Sequence, residues 1–349
     1  MVVVVREVRR DPLTGEEVVL SSDRVVEGRP RVASALAPAD CPFCPGNEAH
    51  TRPTIAAITS DGRWVARAFA NRAPALIVEE QLHPVGDGLL GGVSGVGAHE
   101  VLVEAPEHAA LHTLPVGRTA DALRLAVSRL RDLRNDRRLA TVVWFRNHGA
   151  GAGASQPHPH AQIVGLPIVP RRTRALVAHA RAHRERTGRT LLRDVLDAEL
   201  RDGRRIVTRD GPITALCPYA PRDPFEVWLV PEAPAGGFAD ASDAEVEALA
   251  AVSWTVARAL ASVLGEVPTT TVALGPPVSP EDGPEVSTAP TPSGDRSGLV
   301  FPAERVGWHV RIAPRLTAHA GLEQATGIAV HSVFPEVAAR ELRRAVERG

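Results

Sequence analysis

The stretch that decides the fold is residues 140–167, ATVVWFRNHGAGAGASQPHPHAQIVGLP. It begins with a short run of β-branched and apolar residues, which predicts a buried strand over Ala140–Arg146. A turn punctuated by glycine and proline follows, and apolar residues then resume. Pro157 and Pro159 have no backbone N–H to donate, so the segment that contains them cannot be an ordinary central strand.

Two histidines and a glutamine follow each other at a spacing of two residues. In an extended chain alternate side chains share a face, so His158, His160 and Gln162 are expected to project together. Prolines beside both histidines restrict the backbone, so they favour an imidazole that is already in its binding position before a ligand arrives. A proline-rich turn with solvated histidines is the alternative, but it leaves Gln162, which follows in register, without an explanation.

Glycines alternate with alanine directly before this segment. Gly149, Gly151 and Gly153 would let backbone N–H groups approach an anion closely. A glycine-rich loop alone is weak evidence for a binding site. Beside His160 it indicates that the group attacked is a phosphate.

A second pattern, Cys41-Pro-Phe-Cys44-Pro-Gly, has the spacing of a zinc knuckle, in which a tight turn presents both sulfurs to one point. The alternative is a pair of buried or redox-active cysteines. A tetrahedral zinc site needs two further ligands. Spacing alone leaves seven histidines open: His50, His83, His99, His108, His112, His148 and His158.

Composition excludes several mechanisms. The chain has 349 residues with 40 basic and 41 acidic side chains, and every basic one is arginine. Lysine Schiff-base chemistry, a Walker-type phosphate lysine and a lysine general base are therefore excluded. The net charge of -1 argues against a protein that grips nucleic acid over its whole surface. Three cysteines are too few for a disulfide framework, and we expect a cytoplasmic protein with no membrane partner.

Periodicity predicts an α+β protein, because runs of strands and helices occur without strict βαβ alternation. Residues 276–298, rich in proline, serine and glycine, are predicted to form a mobile loop. The predicted strands, besides Ala140–Arg146, are Glu17–Ser21, Trp64–Phe69, His99–Glu104, Ile213–Cys217, Phe225–Val230 and Val306–Ile312. The predicted helices are Thr119–Arg134, Arg172–Thr187, Ser242–Leu264 and a terminal helix from Pro335.

Ordered motifs along almost the whole chain resemble the galactose-1-phosphate uridylyltransferase family of the histidine-triad superfamily. The motifs are CPFCPGNE (41–48), FANRAPAL (69–76), GAHEVLVEAPEH (97–108), the histidine segment (145–163), PYAPRDPFEVWLVP (218–231) and WHVRIAPRL (308–316). The resemblance implies two similar halves, residues 1–166 and 167–349. Together they would form an antiparallel half-barrel sheet with flanking helices, in a protein that is usually a homodimer.

The resemblance also assigns roles to individual residues. It implies one structural zinc on Cys41, Cys44, His108 and His158. It implies the nucleophile at His160, with Gln162 contacting the phosphate. The positions implied for the nucleotide and its phosphates are Arg29, Asn71, Asn147, Gly153 and Ser155, and those implied for the sugar side are Arg315 and Glu323.

Departures from the family pattern concentrate in the C-terminal half. The family's second metal site uses a His-x-His, but this chain has Gly307-Trp308-His309, so we predict no second metal. Nearer the nucleophile, Gln156 and Ala161 replace the family's asparagine and glycine. The predicted reaction exchanges a nucleoside monophosphate between UDP-glucose and galactose 1-phosphate through a nucleotidyl-histidine. The alternatives are a nucleotide-sugar phosphorylase that uses phosphate or another sugar phosphate, and a non-catalytic nucleotide-binding protein.

Overall fold

A computed structural model describes residues 5–22, 40–278, 306–318 and 320–349. Arg29 and residues 279–298 of the predicted loop lie outside these ranges. The strands are β1 (Arg6–Arg10), β2 (Glu17–Ser21), β3 (Thr54–Ser60), β4 (Arg63–Ala70), β5 (Pro84–Val85), β6 (Gly92–Val93), β7 (Ala98–Val103), β8 (Thr141–His148), β9 (His160–Leu166), β10 (Ile206–Asp210), β11 (Ile213–Leu216), β12 (Val227–Pro231), β13 (Thr269–Leu274), β14 (His309–Pro314) and β15 (Ala329–His331). The α-helices are α1 (Val116–Leu133), α2 (Arg171–Thr187), α3 (Leu191–Asp202), α4 (Asp243–Leu264), α5 (Gly321–Thr326) and α6 (Pro335–Arg348).

Ten of these strands form one antiparallel sheet in the order β10-β11-β12-β14-β13-β8-β9-β7-β4-β3. The strands on either side of the β8–β13 seam have the same connectivity. In each half three strands lead into a long helix, α1 or α4, and two further strands follow. This confirms the α+β fold class and the large antiparallel sheet with flanking helices. The predicted boundary at residues 166 and 167 coincides with the end of β9 and stays a prediction.

Helices α1 and α4 cover one face of the sheet and bury the main core. Their apolar stripes, for example Leu123 of α1 and Leu249 of α4, pack in the same cluster as Trp144 of β8. Helix α4 begins at a capping box, in which the Ser242 hydroxyl accepts a hydrogen bond from the Glu245 backbone N–H. Its length and composition alone would suffice to cross a membrane, yet 44% of its apolar window is buried inside the protein, as in a core helix.

Helices α2 and α3 cover part of the opposite face. Leu176 of α2 and Leu192 and Leu196 of α3 form a second cluster with Trp228 and Val230 of β12. The sheet of the C-terminal half is therefore packed with helices on both faces. The functional site is therefore expected at β9 and its neighbours in the N-terminal half.

Most predicted elements are confirmed to within about three residues; the largest differences are at the starts of α1, which begins at Val116 and not at Thr119, and of β14. The predicted strand Val306–Ile312 is observed as β14, which begins at His309. Gly307 before it has φ +80°, and a Cβ there would lie 2.9 Å from the side chain of Pro234. The chain turns tightly at Gly307, so strand pairing starts only after it.

Candidate active site and metal site

Strand β9 begins at His160, directly after Pro159. The prolines thus precede the paired segment, as their missing N–H groups require. Backbone pairing fixes β9 on both sides, because Val103 of β7 lies opposite His160 and Phe145 of β8 lies opposite Gln162. His160 and Gln162 therefore share one face of a central strand, as predicted from the sequence.

The imidazole of His160 has a defined tautomer. Its Nδ1 lies 2.9 Å from the carbonyl oxygen of His158, and a carbonyl can only accept, so Nδ1 donates. The neutral ring then carries its lone pair on Nε2. The ring is 5% exposed, and burial lowers the pKa of His160 below its ordinary value. Phe43 packs edge-on against it with ring centroids 5.3 Å apart.

Gln162 contacts His99 of β7, and Asn71 lies beside the same ring. Its Oε1 lies 2.7 Å from His99 Nε2, and Asn71 Nδ2 lies 3.0 Å from the same nitrogen. The backbone N–H of Ala73 donates to Asn71 Oδ1 at 2.9 Å, which holds the amide of Asn71 in place. The structure thus brings the sequence-predicted Asn71 and Gln162 together around a histidine to which sequence reasoning gave no role beyond candidate zinc ligand.

The glycine-rich loop connects β8 to β9 on the same side. Gly149 and Gly153 have φ +77° and +91°, a region that favours glycine. A Cβ on Gly153 would lie 3.7 Å from Asn147 Nδ2, so this glycine lies beside the Asn147 amide. Ser155 is exposed in the same loop. Of the predicted phosphate-side residues, Asn147 at the end of β8 and Gly153 and Ser155 in the loop thus lie on the segment that ends at His160, whereas Asn71 follows β4.

Cys41, Cys44, His108 and His158 form the predicted metal cluster, and their ligand atoms all lie within 4.8 Å of one another. Cys44 Sγ lies 3.4 Å from His108 Nδ1 and 3.5 Å from His158 Nδ1. Zinc bond lengths of about 2.3 Å to sulfur and 2.05 Å to nitrogen imply a tetrahedral S···N separation of about 3.5–3.6 Å. The cluster therefore fits a metal ion and selects two of the seven histidines that spacing left open.

The surroundings of this cluster also suit a metal. His158 Nε2 donates to the carbonyl oxygen of Ala105 at 2.8 Å, which leaves the lone pair of its neutral ring on Nδ1, the atom beside Cys44. Burial and the neighbouring thiol of Cys41 raise the pKa of Cys44 to about 11, so a metal ion must displace the proton of this thiol when it binds. Burial lowers the pKa of His158 to about 4, so the ring is neutral and can act as a ligand.

A buried ion pair lies beside the nucleophile segment and was missed from the sequence. Arg146 donates from Nε and Nη2 to the two carboxylate oxygens of Glu104 at 2.7 and 2.5 Å. Glu104 is 1% exposed, and its backbone N–H donates to the carbonyl oxygen of Pro159. The pair therefore braces the start of β9. Its residues lie 42 positions apart, so no local pattern could have revealed it.

The two residues predicted for the sugar side have different surroundings. The backbone N–H of Arg315 donates to the carbonyl oxygen of Pro268 at 2.7 Å, and Pro268 in turn packs against Gly149. Arg315 thus lies beside the glycine-rich loop. Glu323 is 9% exposed, and its Oε2 accepts from the backbone N–H of Ala320 at the start of α5, a capping contact.

In the described C-terminal half, the stretch that contains His309 forms a buried ionic cluster. Arg311 contacts Glu226 at 2.8 Å and Asp223 at 2.5 Å. His309 is 3% exposed, and its ring stacks on Trp228 with centroids 4.7 Å apart. The guanidinium of Arg311 occupies the space that faces both carboxylates.

Comparison with known proteins agrees with this geometry. Residues 2–170 match the family described as galactose-1-phosphate uridyl transferase, N-terminal domain. A relative named ADP-glucose phosphorylase, from Arabidopsis thaliana, is 27% identical over 349 residues, which cover 97% of this chain and 92% of that protein. Galactose-1-phosphate uridylyltransferase from Thermotoga maritima is 29% identical over 230 residues, 65% of this chain and 66% of that protein. The crystal structure of the Arabidopsis thaliana ADP-glucose phosphorylase with bound ADP-glucose has a TM-score of 0.78 and 24% identity, and the match covers 97% of this chain and 98% of that chain.

The two-half antiparallel sheet, with a Cys2His2 cluster next to the strand that carries His160, defines a protein of the histidine-triad fold. Within the proteins of this fold, the family match in the N-terminal half and the full-length relative then indicate the family. Residues 2–170 carry the N-terminal domain of the galactose-1-phosphate uridylyltransferase family, and the chain as a whole is similar to divergent relatives of that family, which include a nucleotide-sugar phosphorylase.

Proposed function

We propose that this protein transfers a nucleoside monophosphate from a nucleotide sugar to a second phosphate-bearing substrate through a nucleotidyl group on His160. The observation that carries the proposal is the hydrogen bond from His160 Nδ1 to the His158 carbonyl, which leaves Nε2 as the nucleophile. Retention of Gln162 on the same face supports chemistry rather than simple nucleotide binding.

In the first half-reaction, Nε2 attacks the α-phosphorus of the nucleotide sugar. The N–P bond forms as the bond from phosphorus to the bridging oxygen breaks, and sugar 1-phosphate leaves with the electron pair. The ring becomes positively charged, and the carbonyl oxygen of His158 stabilises that charge through the Nδ1 proton. In the second half-reaction an oxygen of the acceptor phosphate attacks the same phosphorus and releases His160.

The surrounding donors would stabilise charge on the phosphoryl oxygens. Gln162 supplies an amide, Asn147 supplies another, and the loop after Gly149 supplies backbone N–H groups. Because the chain has no lysine, side-chain positive charge must come from arginine; the backbone of Arg315 lies beside this loop, while its guanidinium lies 3.6 Å from Asp223 Oδ1. The net charge of -1 is no obstacle, since only a local positive pocket is needed.

We further propose that the metal held by Cys41, Cys44, His108 and His158 is zinc and that its role is structural. Two thiolates and two imidazoles are the donors that zinc prefers in closed sites. Bound there, zinc would cross-link the Cys41–Cys44 turn to the segment that precedes β9. His160 follows His158 by two residues and inherits a fixed position from that link.

Of the possible acceptors we favour inorganic phosphate, which makes the reaction a nucleotide-sugar phosphorolysis. The relative that matches 97% of the chain is named ADP-glucose phosphorylase, whereas the uridylyltransferase from Thermotoga maritima matches 65%. By this analogy ADP-glucose and phosphate would give ADP and glucose 1-phosphate. The second candidate is the UDP-glucose and galactose 1-phosphate exchange predicted from the sequence, which is supported by the family match of residues 2–170.

Intact-mass measurement tests the proposal and ranks the two reactions. The protein is incubated separately with ADP-glucose and UDP-glucose without an acceptor, and we expect an adenylyl adduct from the first. Phosphate should then remove the adduct and release ADP. A uridylyl adduct that is discharged by galactose 1-phosphate and not by phosphate would establish the second candidate instead.

The control compares an alanine substitution at the proposed nucleophile with the same substitution at an exposed histidine. His160→Ala should abolish every adduct, whereas His179→Ala, an exposed position on α2, should form it at the wild-type rate. Absence of any adduct from both nucleotide sugars in the wild-type protein would contradict the covalent mechanism and favour the nucleotide-binding alternative.

A further inference from the structure

His99 has three polar neighbours at its ring nitrogens: the backbone N–H of Ala75 at Nδ1, and Gln162 Oε1 and Asn71 Nδ2 at Nε2. The backbone contact determines the tautomer, because a main-chain N–H cannot rotate to present an acceptor instead. The backbone N–H of Ala75 lies 3.0 Å from His99 Nδ1 and can only donate. Nδ1 must therefore be unprotonated, so the ring hydrogen of the neutral imidazole is on Nε2. Nε2–H in turn donates to Gln162 Oε1, which lies 2.7 Å away. Asn71 Nδ2, 3.0 Å from the same nitrogen, is itself a donor and therefore lies beside Nε2–H without a hydrogen bond to it.

This chain of contacts also fixes which way the Gln162 amide points. If the amide were rotated by half a turn, the NH2 groups of Gln162 and Asn71 would both face Nε2–H, and Nε2–H would have no acceptor. The Ala75 N–H thus orients an amide whose own oxygen and nitrogen are alike in size. Within the described part of the chain, no hydrogen bond is found to Gln162 Nε2, so both amide hydrogens remain for a ligand.

The backbone keeps this arrangement rigid. His99 is opposite Val164 and Val101 is opposite Gln162 in the β7–β9 ladder, so the two side chains are diagonal neighbours on one face. The backbone N–H of Asn71 donates to the His99 carbonyl oxygen at 2.7 Å. Both partners therefore sit on paired strands rather than on a free loop.

We infer that His99 is a positioning residue, which holds Gln162 with its NH2 group directed at the transferred phosphate. The inference rests on the proposed nucleotidyl transfer and deepens it. His99 does not contact the phosphate in this account; it acts only by holding Gln162 Oε1. Since an amide can donate to a phosphoryl oxygen but its carbonyl would repel it, the orientation of Gln162 decides whether the residue assists or opposes the reaction.

Single-turnover kinetics of adduct formation test the inference. His99→Ala should slow adduct formation about 10- to 100-fold, because a misplaced catalytic group costs rate at that scale. The dissociation constant of the nucleotide sugar should change by less than about threefold, since the contact matters mainly in the transition state. His99→Gln should recover most of the rate, because its amide N–H can still donate to Gln162 Oε1.

A double-mutant cycle separates positioning from structural damage. Gln162→Ala alone should cost about 100- to 1000-fold, the range for one oxyanion donor. Adding His99→Ala to Gln162→Ala should cost nothing further, because residues that act as one unit are not additive. A full additional loss in the double variant, or wild-type rate in His99→Ala, would overturn the inference. His83→Ala, an exposed histidine before β5, is the matched control and should react normally.

One readout does not depend on catalysis. Nitrogen-15 NMR of the imidazoles should show His99 as the Nε2–H tautomer, with a shift of that signal in Gln162→Ala. An Nδ1–H tautomer would refute the inference even if no nucleotide sugar forms an adduct. Conversely, the Nε2–H tautomer without any adduct would leave the positioning contact in place and reject the proposed function alone.

Discussion

His158 and His160 are two residues apart, yet each ring is hydrogen-bonded to the backbone through a different nitrogen. Nε2 of His158 donates to the Ala105 carbonyl and leaves Nδ1 beside Cys44, whereas Nδ1 of His160 donates to the His158 carbonyl and leaves Nε2 for attack. A single backbone segment thus sets one imidazole as a metal ligand and the next as a nucleophile. Both roles depend on these two tautomers.

Loss of one thiol should release the metal. We expect Cys41→Ser to reduce bound zinc from one equivalent to a small fraction and to lower the unfolding midpoint, because a closed zinc site contributes folding free energy directly. Metal content by mass spectrometry and thermal unfolding measure both effects. Cys217→Ser, at a buried cysteine outside the cluster, should keep its zinc. A full equivalent of zinc retained in Cys41→Ser would rule out this ligand set.

His309 should make the protein sensitive to acid. Burial lowers the pKa of His309 to about 3, whereas in the unfolded chain the ring titrates near its ordinary value of 6.5. Below pH 6.5 the unfolded state binds a proton that the folded state rejects, so stability falls as the pH falls from about 6.5 towards 3. Above pH 6.5 both states are neutral at this ring, and it contributes no pH dependence.

Urea unfolding at two pH values isolates this effect. Between pH 7.5 and pH 5.0 the wild-type protein should lose roughly 2 kcal/mol more stability than His309→Gln, from about 1.4 kcal/mol per pH unit below the unfolded pKa. Other buried histidines titrate in both proteins and cancel in the comparison. Equal losses in the two proteins would show that His309 is protonated in the folded state.

At the scale of elements, the entry to β7 is packed closely against β9. A Cβ on Gly97 would lie 2.3 Å from the carbonyl oxygen of Gly165 and 2.9 Å from the side chain of Leu76. Gly97→Ala should therefore destabilise the protein by about 1–3 kcal/mol, because the backbone oxygen of a paired strand cannot move away cheaply.

Gly95, two residues earlier, provides the control for this prediction. The nearest atom to a Cβ there is 3.8 Å away, an ordinary van der Waals contact. Gly95→Ala should stay within about 0.5 kcal/mol of the wild type. Denaturant unfolding of both variants measures the difference, and equal stabilities would show that β7 and β9 can separate without cost.

Elements with a local periodic pattern could be predicted from the sequence, whereas elements and contacts that depend on distant residues could not. The capped helix α4 and the strand around Trp144 follow from local periodicity, so both were predicted correctly. Helix α3 and strand β3 were not predicted. Much of β3 is exposed, so it lacks a buried face to produce alternation, and α3 joins a cluster formed with distant strands.

The site residues likewise divide into those that a local motif predicts and those that come together only through strand pairing. His160 and Gln162 lie in one short motif and could be identified from it. The contact between His99 and Gln162 spans 63 residues, and it forms only because β7 pairs with β9. Alternation in the segment HEVLVE predicts a strand, but sequence spacing cannot say which strand lies beside it.

At the scale of the whole molecule, only one of the two similar halves carries the reactive group. The seam pairs His148 with Thr269 and Phe145 with Val272, so β9 and β14 are the corresponding strands on its two sides. Ala161 and Ile163 of β9 and Val310 and Ile312 of β14 all pack in the helix-covered core, so His160 and Gln162 share their face of the sheet with His309 and Arg311. On the face that carries the reactive group in the N-terminal half, the C-terminal half therefore has His309, packed against Trp228, and Arg311, ion-paired to Glu226 and Asp223.

This asymmetry predicts a single covalent site per chain, and localisation of the adduct tests that claim most directly. The protein labelled by ADP-glucose or UDP-glucose is digested under mildly alkaline conditions, which preserve the acid-labile P–N bond, and the nucleotidyl peptide is sequenced by mass spectrometry. We expect one nucleotidyl group per chain, on the peptide containing residues 158–162 and attached to His160. A nucleotidyl group on any other residue, or none from either nucleotide sugar, would contradict the account.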